Sequence, residues 1–225
     1  MKKILIIGSG EHAKIVIENI LDQNIYKPFG MVSFNKKDKN KSYYGCKVVC
    51  DYKNLESFLR KQKKEKLFFF IGVGTLKGNM SVRAKIFKDV NKYLKPLNII
   101  NPKSHVSKFS KIGKGNLIEA FVKISAGATI GNNCVIESHS SVHHDQKIGN
   151  NVFIATNVAF AGSSIGDNSL ICDGAVISFK KKIGRNCVVS DGSVVTDNIK
   201  SNTFFYSVSN NIKKISIKNF LNLRK

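Results

Sequence analysis

The sequence predicts a two-part chain: an α/β N-terminal Rossmann-like domain followed by a left-handed parallel β-helix of hexapeptide repeats. Three observations favour this fold class. A glycine-rich segment follows a short apolar run at the N-terminus, apolar residues recur at every sixth position in the C-terminal half, and the pair Ile-Gly returns at a nearly constant interval. We expect domains at 1–99 and 100–200 and a C-terminal tail at 201–225.

Predicted strands and helices alternate in the N-terminal part. Ile4–Gly8 is an apolar strand followed by helical periodicity, and further strands are predicted at Phe29–Phe34 and Lys66–Gly72. Two more helices are predicted, at Tyr52–Gln62 and Gly78–Tyr93. Because strands and helices alternate, we expect a small parallel sheet with helices on both faces.

The C-terminal part has a six-residue period. Ile-Gly recurs with spacings of 18, 18, 17 and 18 residues, so one residue is missing between Phe160 and Ile165. A helix has a period of 3.6 residues and a simple strand has a period of 2, so neither explains this pattern. Three short strands in each 18-residue coil do explain it, with one aliphatic side chain per strand pointing inward. These inward positions are Ile112, Ile118, Ile124, Ile130, Ile136, Val142, Ile148, Ile154, Phe160, Ile165, Ile171, Ile177, Ile183, Val189 and Val195.

Composition narrows the function classes. The net charge is +22, but the lysines are scattered in short groups, arginines are few and aromatic residues are not interleaved, which argues against a nucleic-acid partner. No apolar run reaches the length of a membrane span, so we expect no membrane insertion and a cytoplasmic protein. Five cysteines without CxxC spacing indicate buried free thiols rather than disulfides or zinc, and we predict no metal.

Glycine loops after two predicted strands indicate a phosphate-binding crevice. The first follows the N-terminal strand and opens a helix, where backbone amides can face an anion. An NAD site is disfavoured, because no acidic residue ends the second strand and the domain is too short for two nucleotide-binding halves. A purely structural strand-to-helix turn stays open as an alternative. The candidate nucleotide-sugar-binding residues are Gly8, Ser9, Gly10, Glu11, His12, Asn35, Gly72 and Gly74.

The segment Val142-His143-His144-Asp145 is the candidate for chemistry in the repeats. The two histidines directly follow the inward-facing Val142, so we expect at least one of them to project from a corner of the solenoid. An imidazole beside a carboxylate suits a general base, because the carboxylate fixes the tautomer and stabilises the protonated ring. A surface histidine without function is the alternative.

The order of motifs resembles that of a known family. ILIIGSGEHA at the start, IGVGTLKGNMSVRAKIF before the repeats, INPKSHVS at the junction and SSVHHDQKIGNN within them are similar to the hexapeptide-repeat sugar acyltransferases. That family includes sialic acid O-acetyltransferases and UDP-4-amino-sugar N-acetyltransferases. The resemblance extends from Lys3 to about Asn198.

The resemblance implies a homotrimer that binds acetyl-CoA between adjacent β-helices and a nucleotide-linked sugar in the N-terminal domain. It makes His144 the general base and Asp145 the acid that orients it, with His143 as a second candidate. It also implies that Gly162, eighteen residues after His144, donates a backbone amide to the thioester carbonyl. No metal is required for this transfer.

Several positions depart from the family pattern. Phe153 stands where many relatives carry a second histidine near acyl-CoA, and Ser190 stands where a corner glycine is frequent. We assign Gly162, Phe153, Ser190 and Gly192 to acyl-CoA binding by this resemblance. The G-x-P-A-K segment with which the family usually ends its repeats is missing. For the basic tail at 213–225 we predict a solvated helix, and contact with the phosphates of CoA is the alternative.

The leading functional hypothesis is an acetyl-CoA-dependent N-acetyltransferase in surface glycan biosynthesis. Its acceptor would be a nucleotide-linked amino sugar, such as a 4-amino-4,6-dideoxy sugar. O-acetylation of a sialic-acid-like sugar is the first alternative, because both reactions use one base and one donor. A non-catalytic trimer that binds nucleotide sugar is the second.

Overall fold

The N-terminal domain is a six-stranded sheet with helices on both faces, as predicted. The structure, a computed structural model, describes residues 1–62, 66–75, 78–208, 211–216 and 219. The sheet order is β3-β4-β2-β1-β5-β6, and all neighbours are parallel except the β3–β4 pair. The elements are β1 (Lys2–Ile7), α1 (Glu11–Gln23), β2 (Tyr26–Ser33), β3 (Ser42–Tyr43), β4 (Cys46–Asp51), α2 (Leu55–Lys61), β5 (Leu67–Ile71), α3 (Met80–Val90) and β6 (Lys95–Pro96).

The two faces of this sheet have separate apolar cores. Ile4 and Ile6 of β1 pack with α1, whereas Leu5 and Ile7 pack with α2 and α3. This alternation is what a strand buried on both faces requires. The strand β4 was not predicted from the sequence, because its side chains are largely polar or partly exposed at the side of the sheet.

The C-terminal part is a left-handed β-helix with three parallel sheets, which we call faces 1, 2 and 3. Face 1 contains β7 (Ile99–Ile100), β10 (Leu117–Ile118), β13 (Val135–Ile136), β16 (Phe153–Ile154), β19 (Leu170–Ile171) and β22 (Val188–Val189). Face 2 contains β8 (His105–Val106), β11 (Lys123–Ile124), β14 (Ser141–Val142), β17 (Ala159–Phe160), β20 (Val176–Ile177) and β23 (Val194–Val195). Face 3 contains β9 (Lys111–Ile112), β12 (Thr129–Ile130), β15 (Lys147–Ile148), β18 (Ser164–Ile165) and β21 (Lys182–Ile183).

The predicted inward positions form the core of this solenoid. Fourteen of the fifteen are buried, and Ile112 is partly buried and packs against them. The missing residue falls in the corner between β17 and β18, where Val142 still pairs with Phe160 and Ile148 still pairs with Ile165. The deletion therefore shortens one corner and leaves the stacking intact.

Left-handed backbone at the corners explains the spacing of asparagine. Asn133, Asn151, Asn168, Asn186 and Asn202 all have φ between 53° and 62°, a region that asparagine tolerates better than most residues. Their side-chain amides also form a ladder along the solenoid, with each Nδ2 donating to the Oδ1 of the next asparagine at 2.9–3.2 Å. Each coil is thus connected to the next outside its strands.

Face 1 is the interface with the N-terminal domain. Its outward residues Leu117, Val135 and Phe153 pack in one cluster with α1, and Asn101 Nδ2 donates to Asn19 Oδ1 at 2.9 Å.

All five cysteines are free, and three are buried. Among the described residues, no helix combines the length and the apolar character needed to cross a bilayer.

The C-terminal segment differs from the expected tail. β24 (Thr203–Val208) continues face 1 in parallel with β22, and β25 (Asn211–Ser216) returns antiparallel to β24. The helix predicted for 213–225 is therefore wrong for 213–216, which lie in a strand. Residues 217, 218 and 220–225 lie outside the described residues.

Candidate active site

A cleft of about 910 Å³ lies at the carboxyl ends of β1, β2 and β5. This is the edge of a parallel sheet at which α/β domains bind ligands. Every residue that the sequence suggested for nucleotide-sugar binding lines it: Gly8, Ser9, Gly10, Glu11, His12, Asn35, Gly72 and Gly74. The binding role of these residues stays a prediction.

The two glycine loops touch at the floor of the cleft. A Cβ added to Gly8, whose φ is 131°, would lie 2.8 Å from the carbonyl carbon of Gly72. A Cβ added to Gly72 would lie 2.6 Å from Ile6 Cγ2. The close approach of the two loops therefore requires glycine at both positions.

His12 is held in its neutral form beside this floor. Burial and, to a smaller extent, the charge of nearby Arg83 lower the pKa of His12 to about 3. Its ring lies 5.6 Å from that of Phe153 on face 1 of the solenoid. His12 thus offers uncharged hydrogen-bonding nitrogens where the two domains meet.

A carboxylate that the sequence analysis missed also lines the cleft. Asp38 ends a short 3₁₀ turn (Lys36–Asp38) and accepts hydrogen bonds at Oδ2 from Ser9 Oγ at 2.7 Å and Ser33 Oγ at 3.3 Å. These bonds and Lys41 hold the pKa of Asp38 below its usual value. No acidic residue ends β2 itself, as the sequence indicated, but the turn that follows brings the Asp38 carboxylate back to that strand end. The side chain of Asn35 accepts a hydrogen bond from Lys37 N and caps this turn. Asn35 was therefore the residue from which the turn, and with it the position of Asp38, could have been predicted.

An aromatic pair forms the far side of the cleft. The rings of Phe34 and Tyr52 lie 4.5 Å apart between centroids, and both line the cavity together with Val82 and Ile86. A nucleoside base stacks readily on such a surface. The cleft therefore has an apolar end and a glycine-lined end.

His144 and Asp145 lie at the corner between faces 2 and 3. His144 Nδ1 is 2.9 Å from Asp145 Oδ2, and their side chains are 72% and 79% exposed. The corner itself is held by Gln146, whose Oε1 accepts from His143 N at 2.7 Å and whose Nε2 donates to Phe160 O at 3.1 Å. When Nδ1–H donates to Asp145, Nε2 is left as a proton acceptor that faces solvent.

Gly162 occupies the next coil at the same corner, but the missing residue changes its partner. In the register of the preceding strand, Gly162 is equivalent to His144 of the previous coil. In the register of the following strand, it is equivalent to Asp145. Asp145 and Gly162 both have φ of 59°. A Cβ on Gly162 would lie 2.8 Å from Phe179 Cε2, so the Phe179 ring of the next coil covers this glycine.

The other predicted acyl-CoA residues lie on different sides of the solenoid. Phe153 is 4% exposed and packs against α1, because face 1 is covered by the N-terminal domain. Its role in acyl-CoA binding stays a prediction. Ser190 and Gly192 lie at the corner between faces 1 and 2, away from the corner of His144. Their role in CoA binding stays a prediction.

Comparisons with known proteins agree with this architecture. Residues 3–90 match the family model of the PglD N-terminal domain, and residues 118–213 match that of the GMPPB C-terminal domain. No curated protein matches the sequence significantly. PerB from Caulobacter crescentus, solved with CoA and GDP-perosamine, is 27% identical, with a TM-score of 0.82 over 95% of this chain and 98% of PerB. The chain is thus similar to the hexapeptide-repeat sugar acyltransferases in its N-terminal family match and in its fold.

Other structures in this group share the fold. A variant of GDP-perosamine N-acetyltransferase from Caulobacter crescentus, also with CoA and GDP-perosamine, is 27% identical, with a TM-score of 0.83 over 95% of this chain and 97% of that chain. The acetyltransferase domain of PglB from Neisseria gonorrhoeae, with acetyl coenzyme A, is 22% identical, with a TM-score of 0.82 over 95% and 99% of the two chains. Both the N-terminal domain and the solenoid of this chain therefore have the same fold as in these acetyltransferases.

Proposed function

We propose that this protein transfers an acetyl group from acetyl-CoA to the amine of a nucleotide-linked amino sugar in surface glycan biosynthesis. The observation that carries the proposal is the presence, in one chain, of the glycine-lined cleft and the His144–Asp145 corner. PerB and GDP-perosamine N-acetyltransferase, which align over almost the whole chain, are solved with CoA and a nucleotide amino sugar. We further propose that the reaction occurs in the cytoplasm, where acetyl-CoA is available.

The chemistry follows from the corner geometry. His144 Nε2 takes a proton from the sugar amine while the amine nitrogen bonds to the thioester carbonyl carbon. The carbonyl oxygen gains negative charge, which the N–H of Gly162 stabilises. The carbon–sulfur bond then breaks, the sulfur takes the proton from His144, and the products are the amide and free CoA. Asp145 stabilises the protonated imidazole between the two transfers.

Side chains beyond His144 suit the remainder of CoA. Two coils after the His144 corner, the same corner carries Phe179 and then Lys180 and Lys181. Face 3 next to it has a groove of about 530 Å³ with Lys147, Lys182 and Lys200 along it. An apolar surface followed by cations matches the order of pantetheine and phosphates in CoA.

The arrangement also supports a homotrimer. Within one chain the cleft lies on the side of face 1, whereas His144 lies at the corner opposite that face. Face 2 exposes Ala159, Val176 and Val194, whereas face 3 exposes lysines. An apolar strip of this kind on a symmetric assembly is a natural contact with a second copy. That contact would bring the His144 of one copy toward the cleft of another.

A direct assay tests the proposal. The purified protein is incubated with acetyl-CoA and GDP-, UDP- or dTDP-linked 4-amino sugars, with release of the CoA thiol and the mass of the sugar product as readouts. We expect transfer to at least one of these sugars, with the GDP-linked sugar first among them by analogy with PerB. Transfer only to free nonulosonic acids would favour the O-acetyltransferase, and no transfer to any sugar would favour the non-catalytic trimer.

A further inference from the structure

Arg83 is a buried cation behind the second glycine loop. It is one of only four arginines in a chain with 37 basic residues, and its side chain on α3 is fully buried. None of the ion pairs in the described ranges includes it. An unpaired buried charge is costly, so its retention calls for a physical reason.

The hydrogen bonds of Arg83 go to backbone carbonyls at the end of β5 and just after it. Its Nη1 donates to Ile71 O at 3.0 Å and to Val73 O, the two carbonyls on either side of Gly72. Its guanidinium carbon lies 6.0 Å from the centre of the Phe70 ring. Its Nε and Nη2 have no hydrogen-bond partner among the described residues. Burial lowers the pKa of Arg83 to about 9, so the group remains charged at neutral pH.

The bond to Val73 O fixes the direction of the next amide. A trans peptide directs its C=O and its N–H to opposite sides, and the chain has no cis peptide in its described part. With the Val73 carbonyl on Arg83, the N–H of Gly74 is turned away from Arg83. Gly74 lines the cleft, and no described residue accepts a hydrogen bond from its N–H. This amide is therefore free to meet a ligand.

We propose that Arg83 is a positioning residue of the nucleotide-sugar site: it holds the Val73–Gly74 peptide so that the Gly74 N–H binds the diphosphate, and its charge supplies a fixed positive field behind the loop. This inference rests on the proposed function for the identity of the ligand. Backbone amides directed into a concave loop bind phosphate, and an adjacent cation strengthens such bonds.

Nucleotide binding in the absence of catalysis tests the inference. GDP and guanosine are titrated by calorimetry into the wild type, Arg83→Met and Arg83→Lys, so that the difference between the two ligands isolates the diphosphate. We expect Arg83→Met to weaken GDP binding about tenfold or more without changing guanosine binding, because the Gly74 N–H is no longer held toward the diphosphate and the positive field behind the loop is lost. Arg83→Lys keeps the charge but replaces the guanidinium whose Nη1 bonds both carbonyls, so its affinity for GDP should lie between those of the wild type and Arg83→Met.

Matched controls separate positioning from general stability. Arg60→Met removes an exposed arginine of α2 that pairs with Glu56, and it should leave GDP binding unchanged. CoA binding should be the same in all variants. Bound GDP should slow hydrogen exchange at the Gly74 amide in the wild type and slow it less in Arg83→Met, which a loss of stability confined to other elements would not produce.

The outcomes distinguish this inference from the proposed function. If the wild type binds GDP, UDP and dTDP no better than the nucleosides, both are overturned. If the wild type binds GDP and a folded Arg83→Met binds it equally well, the positioning role is overturned and the proposed function stands. Should Arg83→Met fail to fold, Arg83→Lys decides, because GDP binding equal to that of the wild type overturns the inference.

Discussion

The cleft and the His144 corner differ in how much of a site one chain supplies. The cleft is formed by three strand ends, and its groups are held by neighbours in the same chain, such as Asp38 by Ser9 and Ser33. His144 and Asp145 contact each other but are otherwise exposed at a corner. The lining of the cleft is thus complete in one copy. The predicted catalytic pair, in contrast, is open to solvent on the side away from its own chain. This difference is what a site shared between copies would produce.

Replacing the base should produce the largest effect. We expect His144→Ala to lower kcat by about 10²–10⁴-fold, because general base catalysis contributes that much, while GDP binding in the distant cleft stays unchanged. His143→Ala is the matched control, since its backbone rather than its side chain contacts Gln146. Steady-state kinetics and calorimetry measure the two quantities. A His144→Ala protein with wild-type kcat would disprove the site assignment.

Mixing two inactive variants tests whether the site is shared. His144→Ala and Gly8→Ala are co-expressed with different tags, and mixed assemblies are purified. If base and cleft come from different copies of a trimer, each mixed assembly has one intact site in three, so about a third of the wild-type activity should be restored. If one chain contributed both, no intact site could form and the mixture would stay inactive. Light scattering on the same samples gives the number of copies.

The glycine at the floor of the cleft should matter more than its neighbour. Gly8→Ala places a Cβ against the Gly72 carbonyl at a positive φ and should cost about 1–3 kcal/mol of stability. Gly10→Ala meets no atom within 4 Å and has a φ of −80°, so it should leave the free energy of unfolding almost unchanged. Urea unfolding of the two variants measures the difference. Equal losses of unfolding free energy in the two variants would contradict the close contact between Gly8 and Gly72.

The smallest effects concern pH, and the two regions should respond with opposite sign. The folded pKa of His12 is lowered to about 3, so its neutral form adds stability above pH 6.5 that is lost as pH falls toward 3. The folded pKa of Glu137 in the solenoid is raised to about 7, by burial and then by Glu119 and Asp173, so stability is lost as pH rises from 4.5 to 7.

Two conservative variants measure these terms separately. His12→Gln should reduce the acid-induced loss of stability, and Glu137→Gln should raise the free energy of unfolding at pH 8 but not at pH 4. Urea titrations across pH 4–8 give both values. Profiles that coincide with that of the wild type would contradict the buried environments of these groups.

The solenoid could be predicted residue by residue because one inward side chain per six residues is a purely local rule. The cleft could be predicted only in part. Asp38 was missed because a capped turn carries it back to the end of β2, a path that strand patterns do not encode. Arg83 was missed because a single arginine on an amphipathic helix normally indicates a solvent-facing residue. The contact of Phe153 with His12 could not be predicted, because the sequence does not specify which face the other domain covers.

The shortened corner between β17 and β18 has a consequence for how such enzymes diverge. Every inward side chain on either side of the break keeps its neighbour in the next coil, so removing a residue there leaves the core unchanged. The same removal changes the register of Gly162, which stacks on His144 counted from β17 and on Asp145 counted from β18. Insertions and deletions at solenoid corners can therefore reshape a reaction pocket at little cost to folding, which makes the corners the natural sites of evolutionary change in acceptor and donor preference.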